Sequence, residues 1–126
     1  MTQRDETRLR ALIASINSNE GKLLKDLLDS ARIVPSEQIS RNIVTMNSRI
    51  RLKDLESGQV SELDLVFPHD VNDNRDALSI LSLNGTALFG LSEGDSFTWT
   101  ETNGHGRTLK ILSVLWQPEA EGLFQF

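Results

Sequence analysis

From Val44 to Phe67 most apolar residues fall on alternate positions within two stretches, and no other feature of the chain restricts its fold as much. Val44, Met46, Ser48, Ile50 and Leu52 share one parity, with Thr45, Asn47, Arg49, Arg51 and Lys53 on the other. After the turn signal Glu56-Ser57-Gly58, the residues Ser61, Leu63, Leu65 and Phe67 alternate with Glu62 and Asp64. A period of two is the pattern of strands with one buried face. A hairpin in which paired residue numbers sum to 113 places Ile50 against Leu63 inside, and Arg51 against Glu62 and Arg49 against Asp64 outside. Such cross-strand ion pairs contribute about 0.2–1 kcal/mol each. The cationic row therefore reads as a strand face with local partners, not as a binding patch.

Before Val44 the period is helical. Leu9, Leu12, Ile13 and Ile16 recur amid Arg4, Glu6, Arg8 and Arg10, and Leu23, Leu24, Leu27, Leu28 and Ala31 form a second stripe. The polar, glycine-containing Asn17-Ser18-Asn19-Glu20-Gly21 between them reads as a turn, which predicts a short antiparallel helical hairpin. Two helices of roughly 13 residues reach only about 20 Å at 1.5 Å per residue. Pro35 closes this part, since it cannot continue a helical ladder.

Later strands are expected at Ala77–Ser82, Ser96–Thr102 and Arg107–Gln117, the last two joined by a turn at Asn103-Gly104. Both parities of the final strand are apolar (Leu109, Ile111 and Leu115; Leu112, Val114 and Trp116), the pattern of a central strand covered on both faces. A short helix is predicted between Asn84 and Leu91, capped by Asn84 or Ser82, with Ala87, Leu88 and Leu91 turned to the sheet. The fold class is α+β: an N-terminal helical hairpin over residues 1–34, then an antiparallel sheet packed on one short helix over residues 35–126.

Composition removes several classes of function. The chain has no cysteine, so thiolate catalysis and zinc–thiolate sites are excluded. No apolar run approaches the roughly 20 residues that span a bilayer, and the charged start, MTQRDETRLR, lacks the apolar segment of a secretory signal. A cytoplasmic protein without membrane contact is expected. Net charge is −5, with six Lys/Arg against five Asp/Glu in residues 1–32 and seven against thirteen in the remainder. An acidic body without a cationic run argues against direct nucleic-acid binding.

Two apparent ligand sites fail on inspection. Gly85 and Gly90 have the spacing of a phosphate loop, but Leu91 stands where the lysine must be, so no point charge meets the phosphates. The glycines are better explained if Gly90 ends the short helix and Gly85 lets it approach a neighbouring backbone. Asp70, Asn72 and Asn74 match the start of a calcium loop, but Arg75 takes the glycine position and Leu81 the glutamate position. His69 and His105 lie in loops with no motif linking them, and no spacing marks a nucleophile with its base. The chain is expected to be no enzyme and to need no cofactor.

The segments VTMNSRIRLKDLESGQVSELDLVFPHD, LSILSLNGTALFGLSEGDSFTW and LKILSVLWQPEAEG resemble, in order and spacing, the family of Rnk regulators of nucleoside diphosphate kinase and the related Gre transcript-cleavage factors. The resemblance covers about Ile33 to Gly122. It implies an FKBP-like C-terminal domain behind a short coiled-coil arm. It further implies docking of that domain on the rim of the RNA polymerase secondary channel. The sequence does not fix the oligomeric state, and a monomer is expected. The family's docking motif falls on Ser82–Gly90, with Ser82, Gly85, Ala87, Leu88 and Gly90 matching. Ser82, Leu83, Asn84, Gly85, Thr86 and Phe89 are thus the expected polymerase-binding residues, with Asn84 and Thr86 expected to be exposed. Leu83 replaces the family's proline, a departure that removes a rigid contact. The arm tip, Asn17, Ser18, Asn19 and Glu20, carries one carboxylate where the Gre factors use a pair to help hold magnesium, so transcript cleavage is not expected. The alternative reading is a regulator of nucleotide metabolism acting outside transcription. Prolyl isomerase activity is not expected, because Trp99 and Trp116 fall on core parities and there is no tyrosine.

Overall fold

The computed structural model describes residues 1–16, 18–73 and 76–123. Two helices open the chain, α1 (Gln3–Ala14) and α2 (Ser18–Ser30). Thr2 caps α1 by accepting the Asp5 N–H at 3.0 Å, and Asp5 and Glu6 place negative charge in the first turn, where the helix dipole favours it. The helices lie side by side. Arg10 donates to Asp29 at 3.1 Å, and the Gly21 backbone packs against Ile13 and Ile16, where an added Cβ would stand 3.3 Å from Ile16 Cδ1. At the other end Gln3 N–H donates to Val34 O and Val34 N–H to Met1 O. Leu9, Leu24 and Leu28 are buried in the same apolar cluster as Val44, Met46, Ile50, Leu65 and Leu88. Leu23, expected on the buried stripe, is exposed. Pro35 leads into a 3-10 turn, Ser36–Gln38.

Among the described residues, five strands form one sheet in the order β3-β2-β1-β5-β4: β1 (Arg49–Asp54), β2 (Val60–Val66), β3 (Ala77–Ser79), β4 (Ser96–Thr100) and β5 (Gly106–Trp116). The β1–β2 register is the expected one, with Ile50 opposite Leu63, Arg51 opposite Glu62 and Arg49 opposite Asp64. Arg51 bonds Glu62 at 2.9 Å and Arg49 bonds Asp64 at 3.1 Å. The β4–β5 hairpin also forms, with Thr100 opposite Gly106 and Gly104 at φ +86 in the turn.

Three sequence expectations need correction. The alternation from Val44 to Ser48 is burial without a strand. Val44 N–H donates to Leu91 O and Met46 N–H to the Asp5 carboxylate, so these backbone groups find partners outside the sheet. The intervening turn is closed by Ser48 N–H on Thr45 O, with Asn47 at φ +66. The sheet is mixed, not antiparallel, because β3 runs parallel to β2, with Leu65 opposite Leu78. The 3-10 segment Pro68–Asp73 belongs to the excursion that returns the chain in the same direction. Finally, β5 is interior in strand order but not covered on both faces: Leu112 and Leu115 are exposed. Its pairing with β1 slips twice, so Leu112 and Leu115 are the inserted residues of two bulges. Each insertion flips the parity, which is why apolar residues occupy both. Ile111 and Val114 oppose Leu52 and Ile50 on the inner face, while Ser113 and Trp116 oppose Arg51 and Arg49 on the outer face. Trp116 is thus on the opposite face from the one its sequence parity suggested; Trp99 does pack against the core.

Candidate docking surface

The short helix is α3 (Leu83–Leu88), and four side chains or backbone contacts hold it in place. Ser82, the N-cap, accepts the Gly85 N–H at 3.0 Å and donates its hydroxyl to Ser79 O at 2.7 Å. Gly85 is buried so tightly that an added Cβ would stand 2.1 Å from Ser79 O, which is the close backbone approach its identity suggested. Thr86 donates its hydroxyl to Ile80 O at 2.8 Å. Asn84 reaches across to the edge strand β4, donating through Nδ2 to Thr100 O (2.9 Å) and accepting the Thr100 N–H on Oδ1 (2.8 Å). Its carboxamide therefore pairs with Thr100 as a neighbouring strand residue would, and closes that end of the free edge.

These bonds correct the expectation that Asn84 and Thr86 stand out from the surface: both are half-buried and engaged within the molecule. Leu88 and Phe89 belong to the core, and Gly85 is buried. Of the expected docking residues, Leu83 is the one that projects, 52% exposed. Ala87 and Gly90 are also exposed, so Ala87 does not turn to the sheet as predicted. The helix ends where Phe89 N–H closes on Gly85 O and Gly90 takes φ +84. Gly90 N–H then donates to Val44 O at 2.9 Å, which ties the end of the motif to the Val44–Ser48 turn. With the Gly85 N–H taken by Ser82, the phosphate-loop spacing is accounted for by packing.

Asn17 lies outside the described residues, while Ser18, Asn19 and Glu20 occupy the first turn of α2, with Asn19 exposed. The donor set at this tip is one carboxylate among neutral polar groups, and among the described residues no cluster of three or more His, Asp or Glu side chains could hold a metal ion. Asn74 and Arg75 of the apparent calcium loop also lie outside the described residues. His69 stacks on Phe67 with ring centroids 6.0 Å apart, and His105 is exposed. No helix is long and apolar enough to cross a membrane among the described residues.

A family model described as "Transcription elongation factor, GreA/GreB, C-term" matches residues 39–115. The chain belongs to the GreA/GreB family. The regulator of nucleoside diphosphate kinase of Escherichia coli (strain K12) is 38% identical over 95 residues, which make up 75% of this chain and 70% of that protein. Among solved structures, the transcription elongation factor GreA/GreB of Nitrosomonas europaea superposes with a TM-score of 0.80 at 32% identity, covering 92% of this chain and 96% of that one. The GreA factor homolog Gfh1 of Thermus thermophilus shares the fold, with a TM-score of 0.52 at 20% identity over 90% of this chain and 96% of its own. The resemblance of the three quoted segments to Rnk and Gre proteins is thereby borne out.

One polar cluster of this GreA/GreB-family chain was not legible in the sequence. Asp5, fully buried, pairs with Arg8 at 2.5 Å and accepts the Met46 N–H at 3.1 Å, while the Arg8 guanidinium lies 5.0 Å from the centroid of the Phe67 ring. Burial foremost raises the Asp5 carboxyl above its ordinary value, opposed by the Met46 N–H and by Arg8. Glu119 accepts the Thr45 hydroxyl at 2.6 Å and is likewise pushed up, first by burial. Helix α1, the Val44–Ser48 turn and the C-terminal 3-10 segment Glu119–Glu121 are thus joined by carboxylates. The only sequence signal was an acidic residue in a first helical turn, which by itself names no partner.

Proposed function

We propose that this chain is an RNA polymerase-binding transcription regulator of the Gre/Rnk type, docking through the Ser82–Gly90 surface and lacking transcript-cleavage activity. The observation that carries the reading is Leu83, a large apolar side chain held outward on a helix that is fixed at both ends, in a chain of the GreA/GreB family. The surrounding residues Ser82, Asn84, Gly85, Thr86 and Phe89 present it. Residues 1–34 act as a short coiled-coil arm near the secondary channel, and residues 35–126 as the FKBP-like docking domain of a cytoplasmic monomer. The net acidic body suits a cationic rim, so salt weakens the complex. The lone tip carboxylate, Glu20, supports binding without cleavage.

The test is biolayer interferometry of the full chain on core RNA polymerase at two salt concentrations, with a Gre factor as competitor. Saturable, salt-sensitive binding that the Gre factor displaces is expected, with Leu83→Asp weakening it by about tenfold or more, as loss of an apolar anchor does. Leu83 is the first residue of α3, the position where proline costs no hydrogen bond. Leu83→Pro is therefore expected to bind at least as tightly as the natural chain. Binding unaffected by Leu83→Asp would reject this surface. Stalled transcription complexes should show no transcript shortening with the chain or with Glu20→Gln.

A second reading, action on nucleotide metabolism outside transcription, is favoured by the 38% identity to the Escherichia coli regulator of nucleoside diphosphate kinase. A change in the activity of purified nucleoside diphosphate kinase on adding this chain, without polymerase present, would support it over the first.

A further inference from the structure

The outer face of the sheet, away from α3 and the core, carries a second surface that the polymerase-docking reading does not use. Lys53 of β1 and Lys110 of β5 stand directly opposite one another in the ladder. Both are exposed, and neither has an ion-pair partner among the described residues. Opposed side chains on adjacent strands have Cβ atoms about 4.5–5.5 Å apart, a spacing at which like charges destabilise a sheet. The neighbouring cations differ: Arg51 is held by Glu62, and Arg49 by Glu62, Asp64 and Asp76. Among the described residues, the lysine pair is the part of this face whose charge is left to solvent.

Apolar side chains frame the pair. Val60 lies opposite Lys53 on β2 and is 49% exposed. The two β5 bulges add Leu112 and Leu115, 38% and 41% exposed, beside Arg51 and Arg49. A bulge places two residues opposite one, so each inserts a leucine into a face that would otherwise alternate. At the upper end a shallow concavity of about 410 Å³ is lined by Asn47, Arg49, Asp64, Val66 and Trp116. The result is a lysine pair within a broken row of leucine and valine, on a chain whose net charge is −5.

We propose that this face binds an acidic protein segment whose carboxylates lie over Lys53 and Lys110 and whose apolar side chains contact Leu112 and Leu115. Charge complementarity selects the occupant. A nucleic-acid backbone engages something like 6–10 cations, and among the described residues this face offers two that are not already neutralised within the sheet. Exposed leucines beside the lysines suit a protein segment, which can cover them with apolar side chains of its own where a phosphate backbone cannot. Since α3 lies across the core from this face, both surfaces can be occupied together.

The experiment titrates the ¹⁵N-labelled full chain with a synthetic decapeptide of alternating Glu and Leu, followed by amide chemical shifts. Shifts confined to Lys53, Lys110 to Ser113 and Leu115 are expected, with affinity falling severalfold between about 50 and 300 mM salt. The decisive variant is Lys53→Glu, which sets opposite charges across the ladder. It should melt at a higher temperature than the natural chain and yet lose peptide binding by about tenfold or more. A merely structural lysine cannot give that opposition. Leu112→Ser should weaken peptide binding without affecting polymerase binding. Peptide shifts elsewhere on the chain, or unchanged binding in Lys53→Glu, would overturn the proposal. So would an oligonucleotide producing the same shifts where the peptide produces none, or self-association of the chain through this face.

Discussion

Gly85→Ala is the substitution for which helix propensity and packing predict opposite signs. On an exposed helix alanine is favoured over glycine by about 1 kcal/mol. Here the new Cβ would meet Ser79 O at 2.1 Å and Ser79 C at 2.9 Å. These are backbone atoms, so no side chain can swing aside. Either α3 lifts or the Ser79 turn moves, by about 1 Å, the shortfall from the 3.0 Å below which Cβ contacts essentially do not occur. Ser79 O also accepts from Ser82 N–H (3.1 Å) and from the Ser82 hydroxyl (2.7 Å), and Gly85 N–H donates to that hydroxyl. Any such shift loosens the cap and its bonds, at about 1 kcal/mol each, and overpacking adds about 1–3 kcal/mol. After the propensity gain is subtracted, the expected loss is about 2–4 kcal/mol. For a chain of this length that corresponds to a fall in Tm of roughly 10 °C. Urea unfolding followed by circular dichroism reads the free energy directly, and calorimetry the Tm. A variant as stable as the natural chain, or more stable, would refute the close approach and with it the rigid presentation of Leu83.

Asn84→Ala should cost about 1–3 kcal/mol, since it strands the Thr100 N–H and C=O; faster amide exchange at Thr100 is the direct check. Leu24→Ala, which empties a fully buried position shared by the helices and the sheet, should lose about 2–5 kcal/mol in urea unfolding. The Glu119 carboxyl is raised by burial above its ordinary 4.5, so its neutral form favours the native state; that contribution is complete below the unfolded value and is lost as pH rises through the folded one. Glu119→Gln should therefore gain stability relative to the natural chain as pH goes from 4 to 7, and a difference that does not change with pH would refute the assignment.

How far the fold was legible depended on whether a structural cause is local. The β1–β2 register followed from charge and apolar alternation alone, because the central residues of both strands, Arg49–Leu52 and Ser61–Leu65, alternate and oppose complementary side chains. Gly85 as a close approach was likewise readable, and the cap was narrowed to Ser82 or Asn84, of which Ser82 proves to be the cap, since few residue types satisfy those positions. The bulges were not. Two inserted residues in β5 look, in sequence, like a strand apolar on both sides, and only the partner strand shows where the count slips. The parallel β3 was hidden because three residues carry no directional signal. Asn84 and Thr86 looked like surface residues, as polar side chains in a loop-rich stretch ordinarily are. Their acceptors and donors, Thr100 and Ile80, are backbone groups whose proximity no side-chain pattern encodes. The Asp5–Met46 bond spans 41 positions and was invisible for the same reason.

The strand order also governs how this chain acquires its structure during synthesis. The middle strand β1 has one neighbour, β2, that follows it within a few residues, and another, β5, that is made after the other four strands described. Pairing Arg49 with Trp116 closes a span of 67 positions, and until it closes Ile50 and Leu52 have no inner-face partners in Val114 and Ile111. Contacts so distant in sequence delay folding. The helices and the first hairpin thus emerge from the ribosome into a core that cannot yet be completed. A message truncated ahead of Leu109 would leave β1 with one bare edge, a product suited to aggregation and proteolysis and unable to form a smaller working domain.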